Sequence, residues 1–146
     1  MTTSKTFRSA ADQAAAFNHV RLAHQTEVAE DYVELVDDLI EEKGEARAVD
    51  LAERLGVSAA TVNKTVKRLQ REGYLSTAPY RSIFLTEVGK SMADAARERH
   101  QLVYNFLRTI GVSEQAAELD AEGVEHHVSE ETLACFAALI KQNTDK

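Results

Sequence analysis

AVDLAERLGVSAATVNKTVKRLQREG, residues 48–73, reads as two helices joined by a glycine turn. Val49, Leu51, Ala52 and Leu55 give the first helix, Ala48–Leu55, its apolar side. Gly56 turns the chain, and Ser58 is a good N-cap for a second helix over Ala59–Glu72. Val62, Val66 and Leu69 face inward on that helix, with Val57 just ahead of it and Gly73 closing it. Helix, glycine turn and capped basic helix form a helix-turn-helix. A recognition helix sends polar side chains to base edges from its first turns and cations to phosphates further along. Ser58, Thr61, Asn63 and Lys64 are the candidates at the start, and Lys67, Arg68 and Arg71 are the phosphate candidates. An ordinary charged surface helix is the bland alternative, and the flanking elements argue against it.

Tyr74–Thr77 and Ser82–Thr86 suit strands, with Pro79 in their connection, and predict a hairpin directly after the recognition helix. Such a hairpin is a wing, and Arg81 at its tip is a further DNA candidate. Upstream, Val28, Tyr32, Leu35, Val36, Leu39 and Ile40 make an apolar stripe on a helix over Glu27–Lys43, ended by Gly44. Residues 1–24 are polar and Ala-rich and read as a flexible N-terminal arm that turns helical only near its end. Downstream, helices are expected over Glu87–Ile110, Glu114–His127 and Glu130–Gln142, the last two capped by Ser113 and Ser129. The fold class is therefore mainly α: a winged helix-turn-helix DNA-binding domain over 25–90, then an all-helical domain over 91–146. Three helices with this much apolar surface in so short a segment need a partner, which predicts a homodimer.

Bulk composition agrees. The 146 residues are 44% hydrophobic, with one Pro and no Trp. Cys135 has no internal partner and falls in the apolar run Leu133–Ile140, which predicts a buried thiol. No apolar run approaches the roughly 20 residues of a membrane span, and Met1–Val20 lacks the apolar stretch of a signal peptide. A cytoplasmic protein is expected. The net charge is −7, yet Arg47–Arg71 holds six basic residues against Asp50 and Glu53. Glu27–Glu45 carries nine acids against Lys43, and Glu114–Glu131 carries seven with no Lys or Arg. One basic element in an acidic body is the footprint of a local DNA-reading surface.

The acidic stretches carry the chemistry. In E-G-V-E-H-H, residues 122–127, a helix would put Glu122, Glu125 and His126 at i, i+3 and i+4, on one face. Two carboxylates and an imidazole there make a chelating edge, with His127 rotated away by about 100°. Asp31 and Glu34 repeat the i, i+3 pairing on the first helix. His100 has Ala96, Val103 and Leu107 as helical neighbours, so it faces inward or toward an interface, as a ligand or a core histidine. Metallohydrolase signatures fail: H-E-x-x-H is absent, and H-x-x-E-H would need His where Glu122 stands. No enzyme is predicted. A winged helix does not by itself say which signal controls it, so Fe2+, Zn2+ or an organic ligand stand as alternative effectors.

E-D-Y-V-E-L (30–35), L-G-V-S-x-x-T-V (55–62), E-R-H (98–100), F-L-x-x-I-G-V (106–112) and E-G-V-E-H-H-V-S (122–129) together resemble the diphtheria toxin repressor family. The resemblance is to its manganese-responsive branch, the manganese transport regulators, and spans Glu30 to Leu139. It implies a Mn2+-activated repressor of manganese homeostasis genes, binding palindromic operator DNA as a homodimer. It also implies a paired Mn2+ site, two ions per subunit, with ligands at Asp31, Glu34, His100, Glu122, Glu125 and His126. The iron-responsive branch carries Met and Cys at the positions matched by Asp31 and Glu122; oxygen donors there favour the harder Mn2+. Ala60 and Lys64 depart from the iron branch's recognition helix, so its operator does not transfer.

Overall fold

A computed structural model describes residues 6–79 and 82–145. Among these described residues, six helices and three short strands follow in the order α1 (Ala10–Lys43), β1 (Ala46–Arg47), α2 (Ala48–Leu55), α3 (Ala59–Arg71), β2 (Leu75–Thr77), β3 (Ser82–Leu85), α4 (Glu87–Thr109), α5 (Glu114–Val124) and α6 (Glu130–Thr144). The strands form one antiparallel sheet in the order β1-β3-β2, with Leu75 opposite Leu85 and Ala46 opposite Ile83. The wing hairpin is thus β2 and β3, widened by a two-residue strand too short to leave a pattern in the sequence. Arg81 lies outside the described residues.

The first helix differs most from expectation. It starts at Ala10, where Ser9 accepts a hydrogen bond from the Asp12 amide, and runs unbroken for 34 residues, about 50 Å. The segment 10–24, read as an arm, is its first half. Alanine-rich sequence with no breaker propagates a helix once one end is anchored by packing. Only the second half, from Ala29, is buried.

Two cores lie along the chain. Val33, Val36, Leu39, Leu51, Val62, Leu69 and Ile83 gather between α1, the helix-turn-helix and the wing, while Val103, Ala121 and Leu133 form a smaller core with Phe136 at its edge, against Phe106. The two rings stack with centroids 3.8 Å apart. α4 joins the cores, contributing Ala93 to the first and Val103 to the second, and it runs straight through the boundary expected at residues 90 and 91. Its start is fixed tightly. Thr86 accepts from the Gly89 amide and donates to the carbonyl of Gly73 at 2.7 Å. A Cβ on Gly89 would come within 2.1 Å of the Tyr74 carbonyl oxygen. The end of the recognition helix, the wing and the start of α4 thus meet at one tightly packed junction.

Cys135 is exposed on α6, not buried. Of that helix only Leu133 is buried. Within the apolar run that suggested burial, Ala134, Ala137, Ala138 and Leu139 are exposed with Cys135, while Phe136 and Ile140 are half-buried.

Candidate metal centre and DNA-reading surface

α1 meets α4 through charge. The Arg97 guanidinium pairs with both Asp37 and Asp38 and reaches the Glu34 carbonyl at 3.5 Å. Lys90 Nζ lies 2.9 Å from Asp37 Oδ2. Partial burial opposes ionisation of Asp37, but hydrogen bonds from Arg97 and Lys90 prevail and hold its carboxyl below the usual range. Further along, the Arg99 guanidinium of α4 pairs with Glu30 of α1, and among the described residues the other carboxylates there lack a cationic partner of that kind.

Two donor groups form there. In the first, His126 Nε2 lies 3.2 Å from Asp31 Oδ1 and 3.3 Å from Glu125 Oε1. Glu27 joins Asp31 and His126, with one donor atom from each all within 4.8 Å of one another. In the second, His100 Nδ1 lies 3.2 Å from Glu125 Oε2 and 3.7 Å from Glu122 Oε1. Glu118 approaches the other face of that ring, 3.8 Å from His100 Nε2. Glu125 spans the two groups, one oxygen in each.

The shared helical face expected for Glu122, Glu125 and His126 is corrected by this arrangement. α5 ends at Val124, Glu125 is its C-cap, and the chain turns through His126 and His127, with the His127 amide bonded back to the Val124 carbonyl. Glu122 and Glu125 still align, because Glu125 keeps helical torsions. His126 instead swings toward α1. Glu34 is in neither three-donor group. Burial first, then the charges of Glu125 and Glu122, push its carboxyl up to about 7, so it faces the same acids. Burial and then Glu125 also raise Glu122. Burial would depress His126, but the carboxylates of Asp31, Glu125 and Glu30 push its imidazole up to about 12.

Fit to a cation follows from what lacks a good hydrogen bond. Glu125 is 1% exposed and His126 8%. Both oxygens of Glu125, His100 Nδ1 and His126 Nε2 are buried, and the two nitrogens lie 3.2 and 3.3 Å from those oxygens, yet among the described residues none makes a hydrogen bond of good geometry. An unpaired buried polar atom costs about 1–3 kcal/mol. Four of them converging from three elements fit divalent cations, which use imidazole nitrogen and carboxylate oxygen as ligands.

Sequence reading missed Glu27, Glu30 and Arg99. Glu30 is buried; its Oε2 lies 2.9 Å from His126 Nδ1 and pairs with the Arg99 guanidinium. His127 Nε2 and His24 Nδ1 both reach Glu27 Oε2, at 3.0 and 3.4 Å. A charged residue inside an acidic helix carries no local mark of these partners, which lie up to a hundred positions away.

On α3, Ser58 accepts from the Thr61 amide as the expected cap. Ser58, Thr61, Asn63, Lys64, Lys67 and Arg71 are all exposed. Among the described residues, none of Lys64, Lys67 and Arg71 has a carboxylate within ion-pair distance. Arg68 differs: it is half-buried and lies 3.6 Å from Glu72.

Two family models match nearly the whole chain. Residues 24–83 match the iron dependent repressor N-terminal DNA binding domain, and residues 86–145 match the iron dependent repressor metal binding and dimerisation domain. The transcriptional regulator MntR of Salmonella typhimurium is 54% identical over 127 residues, 87% of this chain and 81% of that protein. The HTH-type transcriptional regulator MntR of Bacillus subtilis is 46% identical over 100 residues, 68% of this chain and 70% of that protein. Among solved structures, a manganese-dependent transcriptional repressor in complex with manganese superposes with a TM-score of 0.69 at 30% identity, over 77% of this chain and 52% of that one. IdeR of T. acidophilum gives 0.65 at 25% identity, over 73% and 51%. The chain spans about half the length of these solved proteins. With DNA-binding and dimerisation domains in one polypeptide, it is a transcriptional regulator and not an enzyme. It belongs to the iron-dependent repressor family.

Proposed function

We propose that the chain is a Mn2+-activated repressor that binds palindromic operator DNA as a homodimer and holds two ions per subunit. One observation carries the reading: buried donor atoms of His100, Glu125 and His126 converge without good hydrogen bonds, with Glu125 common to two donor groups. Asp31, Glu125 and His126 are the proposed donors of one ion, and Glu34, His100, Glu122 and Glu125 those of the other. Oxygen donors at Asp31 and Glu122, in donor groups made of carboxylates and imidazoles among the described residues, suit Mn2+ better than softer ions.

When bound, the cations supply positive charge that offsets the four carboxylates of Asp31, Glu34, Glu122 and Glu125. Without that charge the acids of α1 repel those at the end of α5, and His126 keeps its proton. Asp31 and Glu34 belong to the helix that packs on the helix-turn-helix; Glu122, Glu125 and His126 belong to the dimerisation half. Drawing them together fixes the reading head to the dimer core. Two recognition helices would then be held about 34 Å apart, or a multiple of it, to enter successive major grooves. Thr61, Asn63 and Lys64 are the proposed base readers, and Ser58, Lys67, Arg68 and Arg71 the proposed phosphate contacts. Arg68, turned toward Glu72, contributes least.

Metal stoichiometry tests the proposal. Equilibrium dialysis should give two Mn2+ per subunit, and Glu125→Gln should lose both. One ion per subunit, or two retained by the Gln variant, would refute the paired site.

A further inference from the structure

We propose that Glu30 is the positioning residue that sets which nitrogen of His126 faces the ion, and that Arg99 holds Glu30 in place. This rests on the metal site proposed above. The two residues before Tyr32 bracket one imidazole. Asp31 Oδ1 is 3.2 Å from Nε2, while Glu30 Oε2 is 2.9 Å from Nδ1. Consecutive helical positions differ by about 100°, enough for neighbours on α1 to reach opposite edges of a ring inserted between them. Only one edge can serve a cation. Nδ1–H donates to Glu30, which leaves the Nε2 lone pair for the metal and turns the ring toward Asp31 and Glu125.

Glu30 is not itself a donor of that site. Its Oε2 already receives both the imidazole N–H and the Arg99 guanidinium, on the side of the ring away from Asp31. The carboxylate is 7% exposed, and a buried charge of that kind persists only when paired. Arg99 comes from α4, Glu30 from α1 and His126 from the turn after α5. The chain Arg99–Glu30–His126 therefore fixes three elements at the one point where the metal must find its nitrogen. Arg99 is also the neighbour of His100 in sequence, so one turn of α4 serves both donor groups.

The test is Mn2+ affinity, with the His126 ring followed by 15N NMR in the protein loaded with Cd2+, a diamagnetic probe. Glu30→Gln, in folded protein judged by circular dichroism, should weaken Mn2+ binding about 10–100-fold and should blur the wild-type signature of a protonated Nδ1 and a metal-bound Nε2. Glu30→Asp should recover much of the affinity. Should Glu30→Gln fold poorly, Arg99→Lys keeps the charge and should give a smaller loss in the same direction. Asp31→Ala separates the two readings. If it loses metal while Glu30→Gln and Arg99→Lys match wild type in affinity and ring signature, the positioning role is overturned and the metal site stands. If wild type takes up neither Mn2+ nor Cd2+, both fall.

Discussion

Glu125 Oε2 lies 3.2 Å from His100 Nδ1, so the end of α5 meets the middle of α4 through a carboxylate that is 1% exposed. Its other oxygen turns to His126. A single buried side chain thus belongs to both halves of the proposed centre. Its neighbours on α1 are the acids that would otherwise repel it.

The protonation state of this centre makes Mn2+ binding depend on pH. His126 is lifted from 6.5 to about 12, so binding through Nε2 must displace its proton at any pH near neutrality. Glu34, lifted from 4.5 to about 7, adds a second proton only below that value. The logarithm of the Mn2+ association constant should climb by about one per pH unit between 7.5 and 8.5, and by about two near pH 5.5. A pH-independent constant in competition titrations would contradict both assignments.

Stability of the metal-free protein should run the other way. Both groups have folded pKa values raised above the unfolded ones, so the folded state holds extra protons between the two. That contribution is complete below the unfolded values. It is lost from Glu34 between pH 4.5 and 7, and from His126 between 6.5 and about 12. Thermal melts without metal should show Tm falling from pH 5 to 8, and saturating Mn2+ should raise Tm most at the upper end. A metal-free Tm that rises across that range would count against the charge balance described here.

Gly89 tests the coupling between wing and α4. A Cβ there meets the Tyr74 carbonyl at 2.1 Å, backbone against side chain, so something must shift. Gly89→Ala should cost about 1–3 kcal/mol in chemical denaturation, although alanine ordinarily favours a helix. A variant as stable as wild type would mean the junction is loose.

On DNA, Lys67→Ala and Arg71→Ala should each weaken all sequences similarly and reduce the salt slope by about one. Asn63→Ala should instead cost about 1–3 kcal/mol on the preferred sequence and little on random DNA. Fluorescence anisotropy across a salt series separates the two behaviours.

Most of the helix-turn-helix was legible because its signals are local. Gly56, the Ser58 cap and the spacing of Val62, Val66 and Leu69 all act within one or two turns. What escaped reading was set at a distance. The helix over residues 10–24 grows from packing that begins only at Ala29. The outward face of α6, and with it Cys135, depends on what lies beside the helix, not on its own sequence. Glu122, Glu125, His126 and His100 could be nominated from type and spacing together with family resemblance. That α5 stops at Val124 and hands His126 to α1 could not, because nothing between Gly123 and Ser129 forces a break. Glu30 looked like one acid among nine until Arg99 and His126 were seen around it.

In the proposed mechanism, cations gathered by Glu125 and its neighbours lock the reading heads for DNA. The most direct test is the affinity of wild type and Glu125→Gln for an operator selected from random duplexes, with saturating Mn2+ and with chelator. Mn2+ should tighten wild-type binding by a factor within about 5–150, while the variant binds weakly in both conditions. Equal affinity of the loaded and stripped wild type would contradict that mechanism.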